Sequence, residues 1–180
     1  MIGQLLGWRN PRPNDFAGPD QRPLKDLFGN LQQFMTWPHV GLRFDGTFAM
    51  STVAVTVVPM VVKSAAASPF VPGDPYSLYR PATSLIQVPQ DFDTWLAVGA
   101  AGFLTGTMAA GVTATLGWRI NAVTDMWMTQ ATRSVVGQCR EVTPIVAPVR
   151  KGDTLEISAT VTTASNLNSA EAWVFFLPLA

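Results

Sequence analysis

The order of apolar and polar residues along this chain changes character once, near residue 46. Before that point Leu24, Leu27, Phe28, Leu31 and Met35 recur at i, i+3, i+4, i+7 and i+11, with Lys25, Asp26, Asn30, Gln32 and Gln33 on the other side. One apolar stripe at helical period predicts a short amphipathic helix. Asp20 can cap it, and Trp37–Pro38 ends it, because a residue before proline is pushed out of the α region. Gly29 inside it costs about 1 kcal/mol relative to alanine, so the helix needs a packing partner to persist. Beyond residue 46 the period falls to two. Val53, Val55 and Val57 alternate with Thr52, Ala54 and Thr56, and Val112, Ala114, Leu116, Trp118 and Ile120 alternate with Thr113, Thr115, Gly117, Arg119 and Asn121. Leu155, Ile157, Ala159 and Val161 alternate in the same way with Thr154, Glu156, Ser158, Thr160 and Thr162. Each run predicts a half-buried antiparallel strand with apolar groups inward and hydroxyls outward. Further strands are expected at 83–88, 93–99, 101–108, 131–138, 141–149 and 170–178. With no second helix to cover a sheet, the pattern predicts an all-β jelly roll or β-sandwich of about eight antiparallel strands over 46–180. An extended arm and one short α-helix over 1–45 precede it.

Three segments do not follow these periods. The arm at 1–22 carries Pro11, Pro13, Pro19 and, just beyond, Pro23, with Gly3, Gly7 and Gly18, so it forms neither a strand nor a long helix by itself. It also carries Leu5, Leu6, Trp8 and Phe16, apolar anchors that a purely disordered tail avoids. Such an arm either grips a neighbour or folds back on its own domain. The stretch at 64–82 contains Pro69, Pro72, Pro75 and Pro81 together with Phe70, Tyr76 and Tyr79. A connection this long is a candidate exposed contact loop, or a brace along one sheet edge. The final strand, Glu171 to Leu177, is apolar on both faces through Trp173, Val174, Phe175 and Phe176. In an antiparallel sandwich that requires a second cover besides the core, and a neighbouring subunit supplies it most economically.

Composition sharpens this picture. Charged residues are 13% of the chain, against roughly 25% in an average soluble protein. A surface so poor in charge is either covered by neighbours or coated with Ser and Thr, which are frequent here. Twelve basic residues balance twelve acidic ones, leaving no concentrated cationic face for nucleic acid. The charge-free stretch at 95–112 is interrupted by four glycines and two threonines, which argues against a membrane span. The N-terminus lacks the order of a signal peptide, so manufacture in a reducing cytosol is expected.

Chemistry is sparse. The single histidine, His39, and the single cysteine, Cys139, lie a hundred residues apart and cannot furnish a zinc cage or a catalytic triad. Cys139 sits among strand residues and is expected to be a buried free thiol. Asp91 and Asp93 form the densest acidic spot, a weak basis for a calcium or glycosidase site that turn roles explain as well. No nucleotide, zinc-protease or serine-hydrolase motif occurs, and no cofactor is expected. Six tryptophans admit a carbohydrate-binding reading. Trp118 and Trp173 lie in strand patterns, whereas Trp127, in the Asp125-Met126-Trp127-Met128-Thr129 segment between expected strands, is the candidate for exposure.

Gly152-Asp153 forms a β-turn before the strand at 154–162. The run VAPVRKGDTLEISATVTTA with the later AEAWVFFLPL resembles the closing hairpin of C1q/TNF-like jelly rolls. In that family a valine-x-(Lys/Arg)-x-Gly-Asp turn leads into a strand, and an aromatic-rich last strand lies at the trimer centre. The matching positions are Gly152, Asp153, Leu155, Phe175, Phe176 and Leu177, within about forty residues of chain. The resemblance implies a homotrimer with the last strand near its axis. Such domains resemble those that bacteriophages use in tail, fibre and capsid-decoration proteins, joined to an N-terminal docking arm. The expectation is therefore a non-enzymatic virion protein assembled in the host cytoplasm, a minor tail or appendage subunit. Capsid decoration and glycan or receptor binding at a tip are the alternatives. Contacts to other virion proteins are expected at Leu5, Leu6, Trp8, Phe16, Leu24, Leu27, Phe28 and Leu31, and self-association at Trp173, Phe175, Phe176 and Leu177. Phe70, Tyr76, Tyr79 and Trp127 are the candidate exposed binding residues, with a cell-surface glycan as the ligand class.

Overall fold

The computed structural model describes residues 37–63 and 73–179; the expected helix and arm, with Phe70, lie outside them. Among the described residues there is no helix. Eleven strands are present: β1 (His39–Met50), β2 (Thr56–Val57), β3 (Val61–Val62), β4 (Tyr79–Arg80), β5 (Leu85–Gln87), β6 (Thr94–Thr105), β7 (Thr113–Ile120), β8 (Thr124–Thr132), β9 (Arg140–Arg150), β10 (Thr154–Val161) and β11 (Ser165–Pro178). Three of these are two-residue edge pieces, which accounts for the excess over about eight. They form two antiparallel sheets. Sheet I has the order β3-β1-β11-β6-β9; sheet II has β4-β5-β10-β7-β8, with β2 also on β10. From β5 onward the chain passes repeatedly from one sheet to the other, the winding of a jelly roll.

The core lies between the inner faces. Leu155, Ile157, Ala159 and Val161 of β10 are buried as the alternation predicts, as are Ala114, Leu116 and Trp118 of β7, but Glu156 and Ser158 on the other face of β10 are buried too, and Ile120 is half-buried. Ile145, Ala147 and Val149 of β9 and Val174 and Phe176 of β11 meet them from sheet I. Two polar groups inside this core are satisfied across the sheets. Trp118 Nε1 donates to the Thr143 carbonyl at 3.2 Å, and Thr143 Oγ1 donates to the Leu116 carbonyl at 3.2 Å. An unmade bond at either place would leave a buried donor at a cost of about 1–3 kcal/mol.

Four stretches depart from the sequence expectation, each for a local reason. Residues 51–55 bend rather than extend, and Val53 is 93% exposed. Ser51 Oγ accepts the N–H groups of Val53 and Ala54, both at 3.2 Å, so a side-chain turn outcompetes the ladder there. The expected strands 93–99 and 101–108 are one strand, β6, because its glycines lie within the ladder instead of breaking it. The expected strand at 131–138 is a loop after Thr132; the strand is β8, and Trp127 sits inside it opposite Trp118. Residues 39–45, grouped with the arm by the sequence pattern, form the first half of β1, and one compact unit runs from Pro38 to Ala180.

Candidate interaction surface

The outer face of sheet I is the feature that its fold does not consume. The register of the ladders arranges it in transverse rows across β1, β11, β6 and β9. One row reads His39, Phe175, Val98, Val146; the next Gly41, Trp173, Ala100, Pro144; the next Arg43, Glu171, Gly102, Val142. Leu177, Leu96 and Pro148 extend it on one side. Nearly every position is apolar, although inner partners such as Val40, Ala97, Ala101, Ile145 and Val174 already fill the core from the same strands. Val142 is 68% exposed, Val146 53% and Trp173 39%. Monomeric proteins rarely leave a contiguous apolar patch of this kind uncovered.

Relief on this face comes from side-chain size. Ala100 and Gly102 lie between Trp173 and the Val142–Pro144 stretch, and a Cβ added at Gly102 would meet nothing within 4 Å. The centre is thus a trough with an aromatic wall. Trp173 packs edge-on against Phe175, with ring centroids 5.8 Å apart, and Phe175 lies 5.2 Å from the His39 ring. His39 is buried there, with Tyr76 edge-on at 5.9 Å. Its place is in β1, within an aromatic cluster. Two ion pairs interrupt the apolar surface: Lys63 pairs with Glu171 on the interior strand β11 at 3.0 Å, and Arg43 pairs with Asp45 on β1 at 3.7 Å. Pro144 and Pro148 on the edge strand β9 have no N–H to offer, so that edge is a poor template for another strand.

The candidate residues sort cleanly on this frame. Trp173, Phe175 and Leu177 lie on the outer face of β11, whereas Phe176 is fully buried in the core. Alternation alone required that split, since neighbours on a strand point to opposite sides. Tyr79, expected to be exposed, is 4% exposed, and its hydroxyl donates to the Met60 carbonyl. Burial pushes its phenol above the usual range, against the lowering effect of Ser84. Tyr76 is 42% exposed and borders a shallow cleft of about 230 Å³ with Pro38, Arg80, Gln87, Gln90 and Asp91. Arg80 is committed there to the Ser77 carbonyl at 2.7 Å and to Gln87 at 2.8 Å. Leu5, Leu6, Trp8, Phe16, Leu24, Leu27, Phe28 and Leu31 lie outside the described residues.

The remaining chemical candidates have structural work. Cys139 is a buried free thiol whose pKa is raised by desolvation, opposed by Arg133 and aided by Glu141. Asp93 forms an exposed ion pair with Lys151, whose hydrogen bond and charge hold its carboxyl below the usual range. Among the described residues no three His, Cys, Asp or Glu side chains gather as a metal site would require, and no helix is long and apolar enough to cross a membrane. The Gly152-Asp153 turn is as the sequence predicts. Gly152 has φ +89°, and Asp153 accepts from the Arg150 N–H and the Asn121 amide, both at 2.8 Å.

No protein-family model matches the chain, and no curated protein matches it. Its fold is similar to that of a solved structure described as "Structure of Eiger TNF from S. frugiperda", with a TM-score of 0.51 and 13% sequence identity. That likeness covers 79% of this chain and 96% of the other. The fold is therefore a TNF-like, all-β jelly roll, as the closing hairpin implied.

Proposed function

We propose that this chain is a non-enzymatic structural subunit whose jelly roll self-associates through the outer face of sheet I. The observation that carries this reading is the apolar character of that face on four adjacent strands, on a sandwich already complete without it. The resemblance of the closing hairpin to C1q/TNF-like domains implies the stoichiometry, three copies with β11 toward the axis. A trough at Ala100 and Gly102 supports the same arrangement, since it leaves room for side chains of a neighbour.

As the setting we propose the virion of a tailed phage, in a minor tail or appendage role, with the arm and helix at 1–45 as the docking segment. The chain order supports this: apolar anchors on a proline-rich arm, then an amphipathic stripe, then a charge-poor jelly roll. Light scattering on the full chain is the test of assembly. The expected mass is three times that of the 19.4 kDa chain; a stable monomer at micromolar concentration would end the proposal. Removing residues 1–22 should leave the oligomer intact and abolish incorporation into particles. Incorporation without those residues would overturn the docking role.

A further inference from the structure

The outer face of sheet I carries one row that is charged at both ends. Asp45 on β1 pairs with Ser169, Ser169 with Leu104, and Leu104 with Arg140 on β9. Asp45 and Arg140 thus stand at the same level on opposite margins of the four-strand face, three strand spacings apart. At roughly 4.8 Å per spacing that is about 14 Å, beyond a Debye length at physiological salt, so they do not pair within one chain. Both are exposed. Among the described residues β3 covers β1 only at Leu42 and Arg43, short of Asp45, and β9 is the last strand on its side. Asp45 has Arg43 at 3.7 Å, and Arg140 has no ion-pair partner among the described residues.

Resting on the self-association reading above, we propose that Asp45 of one copy pairs with Arg140 of the next, and that this pair sets the level at which neighbouring copies meet. Rotation about an axis running along the strands keeps every residue at its own height. A row whose two ends carry opposite charge is then brought end to end with itself around a closed ring, satisfying every copy. The alternative twofold contact, β9 against β9 running antiparallel, sets the basic ends Arg140 and Arg150 of two copies against each other. Opposite charge at one level also penalises slippage along the apolar face, which by itself specifies no register. Glu141, next to Arg140, belongs to the inner side of β9 by alternation and does not compete.

Arg150 supplies the control. It too is exposed on β9 with no ion pair among the described residues, but its row continues to Thr94, and no acid faces it from β1. The experiment is a dilution series of the full chain followed by sedimentation velocity, with melting temperature recorded for every variant. Arg140→Asp should weaken assembly about 30-fold, and Asp45→Asn about 5-fold, as expected for a partly exposed pair across an interface. In the Arg140→Asp background, Asp45→Asn should instead strengthen assembly, because it removes one of two facing acids. Arg150→Glu should leave the dissociation constant unchanged. If Asp45→Asn weakens assembly equally in both backgrounds, or Arg150→Glu costs as much as Arg140→Asp, the pairing is wrong while self-association stands. A monomeric wild-type chain overturns self-association itself.

Discussion

On β7 and β10 of sheet II the outward positions are Thr113, Thr115, Gly117, Arg119, Thr154, Glu156, Ser158 and Thr160; on β6 and β9 of sheet I the middle ones are Leu96, Val98, Ala100, Gly102, Leu104, Val142, Pro144, Val146 and Pro148, with Thr94, Arg140 and Arg150 at the strand ends. Both sets belong to strands that cover the same core, of 8 residues each on sheet II and 12 and 11 on sheet I. Sheet II closes its outer face with its own polar groups. Thr113 and Thr132 bond across strands at 2.7 Å, and the buried Glu156 accepts from Arg119 at 3.2 Å and Ser158 at 2.9 Å. Sheet I has no such network over most of its face. The core takes one apolar face from each sheet, and the outer face of sheet I carries a second.

The comparison can be broken most sharply by placing one charge on each face. Val98→Asp should abolish assembly at micromolar concentration, whereas Thr115→Asp should leave it within threefold; light scattering on both reads the answer. Equal losses would mean that the apolar face is no more an interface than the polar one.

The polar face should instead fail through stability. Glu156→Ala removes the buried acceptor shared by Arg119 and Ser158, at a cost of about 3 kcal/mol in denaturant unfolding. A cost under 1 kcal/mol would show that the network is decorative.

Two glycines of β6 divide the roles within a single strand. At Gly99 a Cβ would collide with the Trp173 carbonyl oxygen and lie 2.9 Å from Val174 Cα, so Gly99→Ala should cost about 3 kcal/mol. At Gly102 the space is open, so Gly102→Leu should leave the melting temperature within a few degrees yet fill the trough and weaken assembly.

The smallest effect concerns pH. An ordinary thiol ionises near 9.0, and desolvation raises the folded value at Cys139. Its contribution to stability is complete below pH 9 and is lost as pH rises from there through the folded pKa, because only the unfolded chain releases the proton. Cys139→Ser should flatten the onset of alkaline destabilisation by a few tenths of a kcal/mol. An unchanged profile would place the onset elsewhere.

Much of this was legible along the chain, but unevenly. β7 and β10 announced themselves because apolar residues line the core side of each and mostly polar ones the other. β1 carried the same signal in Val40, Leu42 and Phe44. It was obscured by the stripe just before it and by His39 and Gly41, which lie on the apolar outer face instead of supplying a polar alternation. β8 was missed because Asp125, Met126, Trp127 and Met128 give no period. The site was visible only in part: Trp173, Phe175 and Leu177 were found because β11 is apolar on both sides, whereas Val98, Ala100, Val142 and Val146 form a face only once four strands are laid side by side.

By itself, then, the order of residues determined the all-β class, the alternation of β7 and β10, the Gly152-Asp153 turn and the apolar run on both sides of β11. Those are local matters, decided by a side-chain period of two and by φ at single residues. The tertiary structure decided that β11 lies between β1 and β6, that Phe176 belongs to the core and Trp173 to the surface patch, and that Gly99 permits no side chain while Gly102 faces open space. It also decided that Asp45 and Arg140, ninety-five residues apart, share one row. Such relations depend on which strands pair and in what register, and register is set by the whole buried face at once.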